Sequence, residues 1–308
     1  MAGAKLDFET IVRPYGAAAV AEAAAIILAG GCVAVPTETV YGLAADATNG
    51  AAVAGVYAAK GRPSFNPLIV HVIDLAAAER QAEFGDVARD LAGRYWPGPL
   101  TLVLPVRGDG GVASLVTAGL PTIALRCPAH PAMQALLRAT GKPLAAPSAN
   151  ASGSISPTRA GHVLASLGGR IPLIIDGGPC AVGIESTIVA AGNDGVRLLR
   201  PGPVDLGLVL ASGGGIEAPG QMASHYAPAK PLRLNTTEAA ANEWLIGFGD
   251  VAGDASLSQS GDLTEAAARL FDALHEADAG DKLRIAVAPV PFTGLGLAIN
   301  DRLSRAAA

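Results

Sequence analysis

The stretch 33–62, VAVPTETVYGLAADATNGAAVAGVYAAKGR, decides the fold. Its apolar start predicts a buried strand that ends at Pro36, and a loop of small hydroxyl side chains follows. Apolar residues at three- and four-residue spacing predict a helix over 51–60, whose end carries Lys60 and Arg62. A strand that leads into a hydroxyl-rich loop, followed by a helix that ends in two cations, indicates a site for a polyanion.

Strands and helices mix without strict alternation on both sides of this stretch. The spacing predicts helices over 17–29, 87–96, 131–140 and 156–167, and extended runs over 68–73, 100–106, 122–127, 144–146, 173–176, 186–190 and 196–199. This pattern favours an α/β domain with a mixed sheet over a regular doubly wound one.

The composition changes near Leu206, where glycine and proline become frequent. Ser212-Gly-Gly-Gly and Ala218-Pro-Gly are typical of a linker. Beyond it we predict strands over 232–234 and 283–288 and helices over 263–277 and 295–305. The predicted organisation is a larger domain at 1–206, a linker at 207–228 and a small α/β domain at 229–308.

Composition and charge exclude several classes of protein. Of 308 residues, 50% are hydrophobic and 16% are charged, which argues against disorder. The net charge of −5 argues against non-specific nucleic-acid binding, which needs a dense cationic face. The apolar stretch 17–35 contains Glu22 and Gly30-Gly31, so we expect neither a membrane span nor a signal peptide.

Three cysteines, Cys32, Cys127 and Cys180, lie far apart in or beside apolar runs. We therefore expect buried, reduced thiols in a cytoplasmic protein. The sequence has no G-x-x-x-x-G-K-[ST] loop, no complete dinucleotide fingerprint, no G-x-S-x-G turn and no Cys or His pair at metal spacing. A nucleotide site must therefore be built in another way.

Lys60 and Arg62 allow two interpretations. They are typical of a solvated helix end, where cations complement the helix dipole. However, Pro63 and Pro67 restrict the loop that follows, and Asn66 lies between them. A rigid loop with Lys, Arg and Asn side chains suits phosphate groups, which favours the second interpretation.

Other candidates lie at strand ends. Ser148 and Asn150 follow a short strand and indicate either a turn or a ligand-binding loop. His71 alternates with apolar residues, as a core histidine does. Arg126 and Arg200 lie among apolar residues with few acids nearby in sequence, which indicates an anionic ligand.

The linker contributes one further candidate, because an aromatic side chain there has no predicted core to join. Tyr226 allows two interpretations, a packing residue or a lid contact over the site, and its place in the linker favours the lid contact.

An ordered set of segments resembles one family, the threonylcarbamoyl-AMP synthases, in the long form with a YrdC-like catalytic domain. The segments are Pro36-Thr-Glu-Thr-Val-Tyr-Gly-Leu, Lys60-Gly-Arg-Pro, Asn66-Pro-Leu-Ile-Val-His, Trp96-Pro-Gly-Pro-Leu-Thr, Ala146-Pro-Ser-Ala-Asn, Gly183-Ile-Glu-Ser-Thr-Ile, Leu199-Arg-Pro-Gly-Pro, His225-Tyr-Ala-Pro and Gly294-Leu-Gly-Leu-Ala-Ile-Asn-Asp-Arg. The resemblance covers most of 15–205, whereas the middle of the C-terminal part is shortened.

The resemblance implies a YrdC-like mixed, twisted sheet with an open cleft, and a small Rossmann-like C-terminal domain. It implies a nucleotidyltransferase that joins L-threonine, bicarbonate and ATP, with Mg²⁺, into threonylcarbamoyl-AMP and pyrophosphate. The product would pass to a complex that forms threonylcarbamoyladenosine on tRNA, and direct tRNA binding is not required. Alternatives are an RNA-binding module without catalysis and an enzyme that adenylates a different acid.

The family motifs also imply roles for individual residues. The implied threonine pocket is Thr39, His71, Arg126, Ala146 and Ser186. The implied ATP contacts are Arg62, Asn66, Thr122, Ser148, Ser156, Arg200 and Tyr226. The implied catalytic residues are Lys60, Arg62, Ser148 and Asn150, and the protein itself is expected to provide no metal ligands.

Overall fold

The computed structural model describes residues 9–192, 195–211, 217–220 and 224–308. Its strands are β1 (Ile11–Pro14), β2 (Val33–Pro36), β3 (Tyr41–Asp46), β4 (Ile69–His71), β5 (Leu100–Pro105), β6 (Thr122–Arg126), β7 (Leu144–Ala145), β8 (Leu173–Asp176), β9 (Thr187–Gly192), β10 (Gly195–Arg200), β11 (Leu232–Arg233), β12 (Glu243–Gly247), β13 (Ala255–Ser256) and β14 (Arg284–Val287). Its helices are α1 (Ala17–Leu28), α2 (Gly50–Lys60), α3 (Leu75–Glu79), α4 (Asp86–Tyr95), α5 (Ser114–Thr117), α6 (Pro131–Thr140), α7 (Ala160–Leu167), α8 (Leu263–Ala279) and α9 (Leu295–Ala306). The predicted linker segment 212–215 lies outside the described residues.

The larger sheet contains both parallel and antiparallel strand pairs. Its order over the described residues is β1-β8-β2-β3-β7-β4-β6-β5-β9-β10. Parallel pairs such as β4 with β6 and β5 with β9 alternate with antiparallel pairs such as β2 with β3 and β5 with β6. Repeated βαβ units give only parallel strands, so this sheet is not doubly wound. The predicted mixed α/β sheet is confirmed.

The two faces of the larger sheet are covered differently. One face, with Leu43, Val70 and Leu125, packs against α2, α3, α4, α5 and α7. On the opposite face, α1 and α6 cover β8, β2, β3 and β7. The rest of that second face, over β4, β6, β5 and β9, carries only a small apolar cluster that includes Ile69 and Ala124. This uncovered half is where a ligand can reach the sheet.

The smaller sheet belongs to a C-terminal domain. Its four strands are all parallel, in the order β11-β14-β12-β13, and α8 and α9 pack with it in one apolar cluster. Val40, Ile184 and Tyr226 join the same cluster, so the two domains share a packed interface. At Gly183 a Cβ would lie 2.4 Å from Cα of Ala268 in α8, and the residue has a φ of +75°. Only glycine allows this close approach without strain.

Several parts of the prediction differ from the structure: β1, β3, α3, α5, β12 and β13 were not predicted, and one predicted helix begins later than expected. The helix predicted from Ser156 begins at Ala160 instead, because the Ser156 hydroxyl donates a hydrogen bond to Glu185 and does not cap a helix. Strand β3 was not predicted: its sequence Tyr-Gly-Leu-Ala-Ala-Asp lacks the β-branched residues that mark strands, and its pairing with β2 and β7 determines its conformation.

The cysteines are buried and unpaired, as predicted. Burial raises the pKa of the Cys32 and Cys127 thiols to about 11. No helix within the described residues combines the length and the apolar character that crossing a membrane requires.

Candidate active site

A cavity of about 50 Å³ lies on the uncovered half of the larger sheet. All five residues of the predicted threonine pocket line it: Thr39, His71, Arg126, Ala146 and Ser186. Four of the residues predicted for ATP or catalysis line it as well: Arg62, Ser148, Arg200 and Tyr226. The structure therefore brings together side chains that lie up to 187 positions apart, from Thr39 to Tyr226.

One end of the cavity, which we call the Arg126 end, consists of Thr39, His71 and Arg126. Arg126 is the last residue of β6 and is paired in register with His71 on β4, so both side chains project from the same face. Its guanidinium donates to Thr39 Oγ1 at 2.9 Å, to Glu38 Oε1 at 2.6 Å and to the Gly98 carbonyl at 3.2 Å. Arg126 thus has a carboxylate partner within the chain, as a buried strand arginine requires, and its contact with an anionic ligand stays a prediction.

Glu38 is a half-buried partner of Arg126 at this end that the sequence interpretation did not single out. Burial opposes ionisation of its carboxyl, but the charge and hydrogen bond of Arg126 hold its pKa below the usual value. The carboxylate also accepts the Ala129 N–H at 3.1 Å. A signal was available, since Glu38 stands in the quoted Pro-Thr-Glu-Thr motif and an arginine on a buried strand requires a partner.

His71 is 3% exposed and lines the cavity. Burial, with a further contribution from Arg126, lowers the pKa of its imidazole to about 3, so the ring is neutral at physiological pH. Its Nδ1 has no hydrogen-bond partner among the described residues. An unpaired polar atom at a cavity wall indicates a place where a ligand completes the hydrogen bonding.

The opposite end, which we call the Arg200 end, consists of Arg62, Arg200 and Tyr226. Helix α2 ends at Gly61 in the left-handed conformation, and the Arg62 N–H closes the turn on the Tyr57 carbonyl at 3.0 Å. This turn directs the Arg62 side chain to the cavity, where it donates to the carbonyls of Asn66 and Pro67. Burial lowers the pKa of Arg62 to about 10.

Arg200 lies at the end of β10 and is held by the neighbouring strand. Its Nε and Nη2 donate to the Ser186 carbonyl at 3.1 and 2.9 Å, and Nη2 also reaches Ser186 Oγ at 3.1 Å. Ser186 Oγ in turn lies 2.7 Å from Thr101 Oγ1. Across the described chain, no ion pair joins Arg62 or Arg200 directly to a carboxylate, and both guanidinium groups donate to carbonyl and hydroxyl oxygens. The Glu185 carboxylate acts on Arg200 without a direct contact.

Lys60 lies behind this wall rather than in it. Its Nζ donates to the carbonyls of Ser148 and Asn150, each at 2.5 Å, and the residue is 2% exposed. Burial, followed by the charge of Arg62, lowers its pKa well below the usual value. In this conformation Lys60 orders the Ser148 loop, and Asn150 donates to the backbone carbonyls of Ala151 and Ser154.

Three further predicted ATP residues do not line the cavity. The backbone carbonyl of Asn66 accepts hydrogen bonds from Arg62 and Tyr57, which places the residue beside the Arg200 end. Ser156 is fully buried and donates to Glu185 Oε1 at 2.5 Å. Thr122 begins β6, four residues before Arg126 on the same face, so it lies roughly 13 Å from it along the strand.

Tyr226 covers the Arg200 end from the linker. It is fully buried, with its ring 5.5 Å from that of Phe271 in α8, and its hydroxyl has no partner in the described part of the chain. Its φ of +65° is uncommon for a residue other than glycine. Core packing was not expected in the linker, but Tyr226 packs in the apolar cluster of the C-terminal domain, which confirms the interpretation as a packing residue. Its role as a lid contact stays a prediction.

Glu185 was also missed by the sequence interpretation, although its motif was quoted for Ser186. It lines the cavity, where its carboxylate lies between Ser156 and Arg302 of α9. Burial opposes its ionisation, but the charges of Arg302 and Arg200 keep the pKa of the carboxyl below its usual value. No signal within the Glu185 motif predicted that its partner would come from the last helix of the chain.

The chain is similar to known proteins of one family. The family model described as "Sua5_yciO_yrdC: Telomere recombination" matches residues 25–202, and that described as "Threonylcarbamoyl-AMP synthase, C-terminal domain" matches residues 204–308. The threonylcarbamoyl-AMP synthase of Bacillus subtilis strain 168 is 40% identical over 94% of this chain and 92% of its own.

Two solved structures are similar to the chain. The crystal structure of Pyrococcus abyssi Sua5 complexed with L-threonine superposes with a TM-score of 0.87 at 35% identity, covering 97% of each chain. Escherichia coli YciO, at 23% identity and a TM-score of 0.57, covers 65% of this chain and 97% of its own, and shares the fold of the larger domain. Two matched domain models, relatives of full length and a ligand cavity in the matched fold together show that the chain belongs to the threonylcarbamoyl-AMP synthase family of ATP-using enzymes.

Proposed function

We propose that the cavity binds L-threonine at the Arg126 end and the ATP phosphates at the Arg200 end, and forms threonylcarbamoyl-AMP between them. The observation that carries this proposal is the difference in charge between the two ends. Arg126 forms an ion pair with Glu38, whereas the hydrogen bonds that Arg62 and Arg200 donate within the described residues go to neutral groups. The nearby Glu185 carboxylate is already bound by Arg302. Two buried guanidinium groups without a direct carboxylate partner suit a polyanion, and a triphosphate supplies one.

At the Arg126 end, Arg126 and Thr39 would hold the carboxylate of threonine. His71, with its neutral ring and unpaired Nδ1, would contact the amino acid's polar groups. Ala146 and Ser186 would limit the space around its side chain. The crystal structure of the Pyrococcus abyssi relative with L-threonine supports an amino-acid ligand in this fold.

At the Arg200 end, Arg62, Arg200 and Ser148 would contact the phosphates, with Lys60 and Asn150 fixing the Ser148 loop. Asn66, Ser156 and Thr122 would complete the nucleotide contacts, and Thr122 lies far enough along β6 to meet the nucleoside rather than the phosphates. Tyr226 would close the linker over the nucleotide.

The reaction we propose needs no nucleophile from the enzyme. The threonine amine and bicarbonate form a carbamate with loss of water. A carbamate oxygen then forms a bond to the α-phosphorus of ATP, while the bond between that phosphorus and the bridging oxygen breaks and pyrophosphate leaves. Holding the two reactants in line and stabilising charge on the leaving pyrophosphate are tasks for fixed cations and hydroxyls, which this cavity offers.

Mg²⁺ fits this site as a companion of ATP. Within the described residues no group of three His, Cys, Asp or Glu side chains could hold a metal, and the Glu185 carboxylate at the cavity is already paired. Mg²⁺ commonly keeps several waters and binds through substrate phosphates. Bound in that way, it would neutralise phosphate charge. Among the proposed phosphate contacts, Ser148 is the residue that carries a hydroxyl.

The substrates require the linker to open. A cavity of about 50 Å³ is far smaller than the roughly 300–1,000 Å³ of sites that hold ligands of this size. The strained φ of Tyr226 lies in the segment that would have to move. The product, a mixed anhydride that water hydrolyses, would then pass to an enzyme complex that transfers the threonylcarbamoyl group to tRNA in the cytoplasm.

The test is release of pyrophosphate by the purified full chain with threonine, bicarbonate, Mg²⁺ and ATP. We expect release that depends on threonine and on bicarbonate. Folded protein without threonine-dependent release would contradict the proposal. Release with another amino acid in preference to threonine would indicate adenylation of a different acid, and salt-sensitive RNA binding without turnover would indicate an RNA-binding module.

A further inference from the structure

Helix α9 places a buried arginine behind the wall of the cavity. Arg302 of α9 is fully buried, and its Nε donates to Glu185 Oε2 at 3.0 Å. Its Nη1 donates to the Pro201 carbonyl at 2.8 Å and its Nη2 to the Glu185 carbonyl at 3.3 Å. Glu185 and Pro201 are the direct neighbours of Ser186 and Arg200, so one guanidinium holds both loops of the Arg200 end.

The Glu185 carboxylate extends this contact into the catalytic domain. One oxygen accepts from Arg302, and the other accepts from the Ser156 hydroxyl at 2.5 Å. The next residue, Ser186, presents the carbonyl that holds Nε and Nη2 of Arg200. The orientation of the Arg200 guanidinium therefore depends on a backbone segment that Arg302 fixes on its other side.

The same guanidinium also faces the linker. Its central carbon lies 5.6 Å from the centroid of the Tyr226 ring, a distance at which a cation attracts the face of an aromatic ring. The Tyr226 ring also has Phe271 of α8 as a neighbour. Two side chains of the C-terminal domain, Arg302 and Phe271, thus fix the position of Tyr226 beside the cavity.

We propose that Arg302 is a positioning residue through which the C-terminal domain orients Arg200 and seats Tyr226, so that this domain sets the affinity of the cavity for the nucleotide. The inference rests on the proposed function for the identity of the ligand at the Arg200 end. Arg302 contacts neither Arg126 nor Thr39, which would hold the threonine carboxylate, so we expect its larger effect on the nucleotide.

The experiment compares Arg302→Lys with a matched control, Arg233→Lys. Lysine keeps the charge but lacks the planar fork that contacts Glu185 and Pro201 together. Arg233 also makes a two-pronged ion pair, to Glu243 at 3.0 and 2.6 Å, but both partners lie inside the C-terminal domain. Binding of Mg²⁺·ATP alone is measured by calorimetry, and turnover is measured as pyrophosphate release.

For Arg302→Lys we expect Mg²⁺·ATP binding to weaken and kcat to fall by about 10–100-fold, as for a misplacement of reactive groups by roughly 1 Å. The KM for threonine should stay within about twofold, and Arg233→Lys should match wild type in all three quantities. A second variant, Glu185→Gln, removes the charge that Arg302 holds and should produce the same selective loss. The double variant should lose no more than the worse single variant, because both remove one contact.

Several results would overturn the proposal. Wild-type ATP binding and kcat in folded Arg302→Lys would do so, as would an equal rise of KM for ATP and threonine. Loss of folded protein in both Arg302→Lys and Glu185→Gln, with Arg233→Lys folded, would assign Arg302 a purely structural role. Because ATP binding is measured without the acceptor acid, this result is independent of whether wild type uses threonine.

Discussion

The two ends of the cavity treat buried positive charge differently. At the Arg126 end, the guanidinium has a carboxylate partner at 2.6 Å and two further acceptors. At the Arg200 end, the hydrogen bonds of Arg62 and Arg200 within the described residues go to carbonyls and a hydroxyl. A buried cation without a direct ion-pair partner is costly in the absence of ligand. This difference indicates that the Arg200 end suits a ligand of high negative charge. The Arg126 end suits a ligand with a single carboxylate.

Removing a cation from the Arg200 end should have the largest effect. For Arg62→Ala we expect kcat to fall by about 10²–10³-fold, because a group that stabilises the departing pyrophosphate is lost. The kcat of Lys60→Ala should fall by a similar amount, because Nζ of Lys60 orders the Ser148 loop. Pyrophosphate release at saturating substrates measures both.

Arg138→Ala is the matched control for Arg62→Ala, since that side chain is an exposed arginine on α6. It should turn over at the wild-type rate. If Arg62→Ala also turned over near the wild-type rate, the charge difference between the two ends would have no catalytic meaning.

The next effect tests the Arg126 end. Arg126→Lys should raise the KM for threonine by about 10–100-fold, because hydrogen bonds from a guanidinium to a carboxylate are lost. The KM for ATP should change by no more than about threefold. Initial rates with each substrate varied in turn separate the two constants, and an equal change in both would show that the ends are not independent.

Much of the fold followed from local sequence pattern. Helix α6 was predicted with its observed bounds, because Pro131 begins it and Gly141 follows as a left-handed cap. His71 and Arg126 come to the same face because strand residues alternate and β4 and β6 pair in parallel. The motifs that resemble the family therefore placed most of the cavity wall.

Three features depended on contacts between distant parts of the chain. The Glu38 partner of Arg126 lies 88 residues away, and the Arg302 partner of Glu185 lies 117 residues away. Tyr226 looked isolated in a linker, yet it packs against helix α8. Local sequence indicates that a buried charged side chain needs a partner, but it does not identify the partner residue.

A smaller effect concerns stability at the Arg126 end. Replacing Glu38 with Gln should lower the free energy of unfolding by roughly 1.5–3 kcal/mol at pH 7, the value of a hydrogen bond to a charged group. The pKa of Glu38 lies below its ordinary value of 4.5 in the folded protein, so the unfolded state binds more protons as the pH falls. The stabilisation is therefore complete above pH 4.5 and is lost as the pH drops through the folded-state pKa.

Urea denaturation at several pH values, followed by circular dichroism, measures this effect. The difference in free energy of unfolding between wild type and Glu38→Gln should decrease as the pH falls below 4.5. Arg233 with Glu243 supplies the comparison, since Glu243→Gln removes a carboxylate of lowered pKa outside the cavity. A difference between wild type and Glu38→Gln that did not depend on pH would show that the Glu38 charge is not the source of the stability.

The smallest expected effect is an absence of change in the pH dependence of activity. The pKa of His71 is about 3 because burial, and then Arg126, disfavour its charged form, so the imidazole stays neutral from about pH 5.5 to 8. His71→Asn should raise the KM for threonine by about 5–30-fold, the value of one or two hydrogen bonds, while kcat/KM keeps the wild-type dependence on pH. If His71 instead served as a proton acceptor near neutral pH, the variant would lose one limb of the pH profile. That result would mean that the Arg126 end contains a base that titrates near neutral pH. The two ends would then differ in proton transfer as well as in fixed charge.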